Sequence, residues 1–100
     1  MRVRFAPEAL QAARTKRAWW EQNRDKAPRL FVIELAAAVA KLRDGADEDR
    51  QCYALRGGRT IWRLLMPKTR NHLYYRHDLT AGVVEIVAIW NATAGAAPDV

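Results

Sequence analysis

The sequence predicts an α+β domain ordered β-α-α-β-β-β, with a helical hairpin packed on one face of a small, largely antiparallel sheet. Three observations carry that prediction. Residues 7–23 and 28–43 place apolar side chains at helical spacing on either side of a short polar link. Residues 59–77, RTIWRLLMPKTRNHLYYRH, read as two alternating strands around a tight basic turn. Residues 83–90, VVEIVAIW, form a β-branched run broken only by Glu85, as an interior strand buried on both faces would. These elements place one domain over residues 1–92, and the small, polar residues 93–100 are expected to fray.

Taken in order, residues 2–5 alternate, with Val3 and Phe5 facing one way and Arg2 and Arg4 the other. Pro7 suits a first helical turn, and Glu8 lies near the positive end of that helix's dipole. In the first helix Leu10, Ala13 and Trp20 make one stripe, with Ala9 and Ala12 beside it. Arg14, Lys16, Arg17, Glu21 and Arg24 cover much of the remainder. Trp19 and Trp20 are adjacent, so one is expected in the core and the other at an edge or a partner surface. Pro28 restarts a helix whose core stripe is Phe31, Leu35, Ala38 and Leu42. Val32, Ile33, Val39 and the alanines leave this helix apolar on more than one side. That fits a helix sandwiched between sheet and first helix, or one with a face that awaits a partner.

Gly45 is placed to stop the second helix. Residues 44–50, DGADEDR, form a solvated loop whose acids lack the alternate spacing of a calcium loop, so no metal site is read there. Residues 52–56 are a short strand or extended segment, and Gly57-Gly58 signals a turn into the next strand. A lone Gly-Gly-Arg has neither the spacing nor the Lys-Ser/Thr pair of a phosphate loop.

If residues 67–70 form a four-residue loop, Met66 faces Asn71, Leu64 faces Leu73 and Trp62 faces Tyr75. Trp62, Leu64, Leu73 and Tyr75 then share the core face. The other face carries Ile61, Arg63, Leu65, His72, Tyr74 and Arg76, and Glu85 is expected to pair there with Arg63 or Arg76. Residues 51–77 hold six Lys/Arg, both histidines and no acid.

The net charge is +6 and the isoelectric point about 10.1, which favours an anionic partner such as nucleic acid or an acidic protein or peptide, or serves solubility alone. A single cysteine, Cys52, excludes an internal disulfide and points to a reducing compartment. The start, MRVRF, lacks the apolar core of a signal peptide, and no apolar run is long enough to span a bilayer. The expectation is a cytoplasmic protein without membrane, metal or cofactor.

The ordered set VRFAPEAL, AWWEQNR…APRLFVIEL, IWRLLMPKTRNHLYYRHD and VVEIVAIWNA resembles the RelE/ParE superfamily of type II toxin–antitoxin toxins. It is most similar to the ParE-like branch, often called plasmid stabilisation proteins. The resemblance covers residues 2–92. It implies a toxin neutralised by a cognate antitoxin and poisoning DNA gyrase by protein–protein contact. The alternative it implies is a RelE-like, metal-independent, ribosome-dependent mRNA endonuclease. A third reading, from charge alone, is a small basic nucleic-acid-binding domain. It has neither a recognition-helix signature nor a base-stacking sheet motif.

An RNA-cleaving site without metal needs a base for the 2′-hydroxyl, cations for the phosphorane and an acid for the leaving oxygen. His72 or His77 is the candidate for proton transfer. Arg63, Lys68, Arg70 and Arg76 are candidate clamps, and Tyr74 or Tyr75 could stack on a base. For catalysis the set reduces to His72, Arg70 and Arg63. Endonuclease-type relatives carry basic or aromatic groups just after the last strand, and many ParE-like chains carry a His and Arg there; this chain departs from both, reading Trp90-Asn91-Ala92-Thr93-Ala94-Gly95. For a contact toxin, Arg63, Lys68, Arg70, His72, Tyr74 and Arg76 form the target surface. The antitoxin is expected to be acidic or amphipathic in its binding segment, to fold on binding and to add a strand to a sheet edge. Its candidate surface is Trp19, Trp20, Val32, Ile33 and Val39.

Overall fold

A computed structural model describes all residues, 1–100. Two helices, α1 (Pro7–Asn23) and α2 (Leu30–Asp44), pack on one face of a five-stranded sheet. The strands are β1 (Arg2–Phe5), β2 (Gln51–Arg56), β3 (Arg59–Met66), β4 (Asn71–Asp78) and β5 (Val83–Asn91). Their spatial order is β1-β5-β4-β3-β2; β1 runs parallel to β5 and the other pairings are antiparallel. The architecture is α+β, with one strand more after the helices than the predicted order. The segment after the acidic loop is a full edge strand, β2. The interior apolar run, β5, lies between β1 and β4, and β4 holds the middle of the sheet.

The hairpin register follows the alternation read from the sequence: Trp62 pairs with Tyr75, Leu64 with Leu73 and Met66 with Asn71. Leu64, Leu73 and Tyr75 are buried under the helices with Val84, Ile86 and Ile89 of β5. Val3, Phe5 and Trp62 pack against the margin of this core. Gly57 and Gly58 both have positive φ, 57° and 78°, as a two-residue turn between twisted strands requires. Gly45, at φ 70°, ends α2, and the Ala46 amide bonds back to Lys41 O at 2.9 Å.

Three local expectations change. Helix α2 begins at Leu30 and not at Pro28, because residues 28 and 29 form a turn ahead of it. Leu10 is exposed; α1 seats Ala9 and Ala13 in the core, with Ala12 and Trp20 beside them. Alanine lets the helix backbone approach β5 closely, and Leu10 is turned about 100° from Ala9 around the axis. The tail does not fray freely: Thr93 and Ala94 stay beside α1, and residues 96–100 are tied to side chains of the strands. Trp90 Nε1 donates to Ala96 O at 2.7 Å, Tyr53 OH to Pro98 O at 3.1 Å, and Arg56 Nε to Val100 O at 2.8 Å. No helix is long and apolar enough to cross a membrane.

Candidate functional site

The β3–β4 hairpin is held from behind by a carboxylate. Glu34, the only charge in residues 30–40, lies on α2 and accepts three hydrogen bonds from the turn: Lys68 N at 2.7 Å, Thr69 N at 2.9 Å and Thr69 Oγ1 at 2.6 Å. Asn71, buried at the base of the turn, donates to Thr69 Oγ1 at 3.0 Å. Arg70 closes the turn at φ 58°, in the left-handed region where a side chain costs roughly 1–2 kcal/mol relative to glycine. Its carbonyl accepts from Ala92 N at 2.8 Å, which ties the turn to the end of β5. Glu34 was legible in the sequence only as a lone carboxylate inside an apolar helix.

From this anchored hairpin the predicted site residues separate into three places. Lys68 borders a groove between α2 and β3 lined by Leu30, Ile33, Ala37 and Leu65. Arg70 enters a cleft against α1 with Lys16, Trp19, Trp20 and Arg24. Arg63, His72, Tyr74 and Arg76 stand on the outer face, as the strand alternation of β3 and β4 requires.

That outer face is not open throughout. Ile61 and Tyr74 are buried, and the Tyr53 ring meets Tyr74 edge-on at 4.7 Å. Arg63 Nε donates to Gln51 Oε1 at 3.0 Å, and its guanidinium lies 5.7 Å from the Tyr53 ring. His72 sits 6.0 Å from Tyr74. Partial burial, and then the Arg63 charge, hold its imidazole below the usual histidine range, which favours its neutral form.

Arg76 is not a free cation. Glu85 lies between its two register partners, Arg4 on β1 and Arg76 on β4. It accepts from Arg4 at 3.0 Å and from Arg76 at 2.6 and 3.0 Å. The expected Glu85–Arg76 pair is present, and Arg4 takes the place considered for Arg63. Burial opposes ionisation of Glu85, but the bonds from Arg76 and Arg4 outweigh it and hold the carboxyl below the usual glutamate range. A depressed carboxylate stabilises the fold above its unfolded pKa, about 4.3, and that contribution is lost as pH falls. Thermal unfolding followed from about pH 7 to 3 should therefore show a shallower acid slope for Glu85→Gln than for the parent. An unchanged slope would mean that the triad is not linked to folding.

The two histidines do not form an acid–base pair. They are five residues apart on β4, roughly 17 Å at about 3.4 Å per residue, and an odd separation puts them on opposite faces. His77 shares the core-side face with Tyr75, 5.8 Å away ring to ring, and lines a shallow cleft with Arg50, Arg59 and Trp62. Tyr75 itself is fully buried and donates to Asp47, so it is not placed to stack on a base.

The residues predicted for antitoxin binding also divide. Trp20 and Val39 pack against the core, and Val32 is half-buried. Ile33 is 61% exposed in the α2–β3 groove, and Trp19 is 46% exposed in the α1 cleft. Comparison of the chain with protein-family models, with curated proteins and with solved structures finds no match.

Proposed function

We propose that this chain is the toxin of a type II toxin–antitoxin module, in the ParE-like branch of the RelE/ParE superfamily. It acts by protein–protein contact on DNA gyrase and is neutralised by a cognate antitoxin. The observation that carries contact over catalysis is the dispersal of the cations. Arg63 with His72, Arg70, and Lys68 occupy three separate surfaces, and the two histidines point to opposite faces. A cleaving site needs acid, base and clamp around one phosphate; a contact surface needs only complementary charge and shape.

The antitoxin segment fits the α2–β3 groove, where Ile33 and Leu65 are 61% and 49% exposed and Lys41 and Lys68 stand at the rim. An acidic helix with an apolar stripe matches that groove, and strand β2 offers a sheet edge for an added strand.

A second reading, the mRNA endonuclease, draws on one observation: Arg63 lies near enough to His72 for its charge to favour the neutral imidazole, the form that can accept a proton. Induced expression with and without the antitoxin separates the two. Pulse labelling should show DNA synthesis stopping first, with rescue by the antitoxin. His72→Ala should weaken the effect by less than about tenfold, as for a contact residue. An early stop in protein synthesis, with mRNA cut at defined positions and activity abolished by His72→Ala, would establish the nuclease instead.

A further inference from the structure

The cleft between α1 and the β3–β4 turn gathers cations without counter-ions. Lys16 and Arg24 reach it from α1 and its C-terminal cap, and Arg70 from the turn. No acid lines it, and none of the three forms an ion pair; the five ion pairs of the chain involve other residues. Its volume is about 470 Å³, within the roughly 300–1,000 Å³ of small-ligand sites.

The cleft is also built. The Arg24 guanidinium lies 5.3 Å from the Trp19 ring and 5.6 Å from the Trp20 ring, and the two indoles meet edge-on at 5.7 Å. These cation–π contacts hold the guanidinium beside the indoles, and the π contact does not use up its N–H donors, which suit an anion. On the facing side Arg70 is held in the left-handed region by the turn that Glu34 and Ala92 fasten. Strained backbone at a charged side chain is a common device for fixing a ligand contact. Lys16 is half-buried, and that desolvation holds its ammonium below the usual lysine range. A bound anion would offset this cost.

We propose that Lys16, Arg24 and Arg70 form a binding site for a phosphate monoester of nucleotide size, with Trp19 and Trp20 as its aromatic wall. Three positive charges at one site match the −1.5 to −2 of a monoester at neutral pH better than the single charge of a phosphodiester. The site does not depend on the toxin reading, since its readout is binding and not toxicity.

The test uses tryptophan fluorescence, because two of the four tryptophans line the cleft. The whole chain is titrated with adenosine 5′-monophosphate, adenosine, inorganic phosphate, and an oligonucleotide without terminal phosphates. The monophosphate should quench saturably, inorganic phosphate should bind more weakly, and adenosine should not bind. Arg24→Gln and Arg70→Gln should each weaken the monophosphate at least about tenfold, as loss of a charge-assisted contact does. Arg17→Gln, which removes an exposed cation paired with Glu21, should not. Equal binding of adenosine, equal weakening by Arg17→Gln, or no saturable response to the monophosphate would each overturn the site. Tighter binding of the oligonucleotide would assign the cleft to a diester backbone and overturn the monoester assignment.

Discussion

Asp47→Ala should lower the thermal midpoint by roughly 10–20 °C, one of the two largest effects expected of a single polar substitution in this chain. Asp47 is 3% exposed, and its carboxylate accepts from Tyr75 OH in the core and from Arg50 at 3.4 Å. Arg50 in turn lies 4.3 Å from the Trp62 ring. Removing the carboxylate strands a fully buried phenol without an acceptor and frees the arginine. An unsatisfied buried partner of a charged group costs about 2–3 kcal/mol. At about 4–8 °C per kcal/mol for a domain of this size, the stated shift follows.

The double variant Asp47→Ala/Tyr75→Phe separates this cause from loss of packing. Removing both partners should recover much of the loss, because no buried polar atom remains unpaired. Additive single losses would show that the bond is not what holds the loop. Burial, and then the bond to Asp47, push the Tyr75 phenol far above the usual tyrosine range. A raised pKa contributes stability below the unfolded value, about 10, and loses it as pH rises. The parent should therefore lose stability above about pH 10 more steeply than Tyr75→Phe.

Glu34→Ala should loosen the β3–β4 turn and cost about 2–3 kcal/mol, since one carboxylate accepts from two amides and a hydroxyl there. Hydrogen exchange gives the sharper reading. The Lys68 and Thr69 amides should lose protection selectively, while the β4 amides keep theirs. Uniform loss of protection would mean that Glu34 supports the whole fold and not the turn. Glu34→Gln should lie between the two, because an amide oxygen still accepts but carries no charge. The consequence reaches function: the turn holds Arg70 at φ 58°, so a loosened turn releases the guanidinium into many positions.

The hairpin was legible because its alternation and loop length leave one register that buries Leu64, Leu73 and Tyr75 together. The core stripe of α2 was legible for the same kind of reason, the 3.6-residue period from Phe31 to Leu42. Helix α1 was less so, because its buried positions are alanines, which carry little periodic signal. The candidate site was legible as an inventory of cations and not as a geometry.

Residues 51–77 declared their charge, their alternation and their turn in the sequence alone, since these depend on neighbours within a few positions. Tertiary structure alone decided the partners. Glu34 meets Thr69 across 35 residues, Tyr75 meets Asp47 across 28, and Tyr53 meets Pro98 across 45. It also decided that Arg70 joins Lys16 of α1 and Arg24 at its cap, and that Arg76 shares Glu85 with Arg4. The reason is physical. Periodicity assigns a side chain to a face, but what waits on that face is set by packing between elements distant in the chain, which no local pattern encodes.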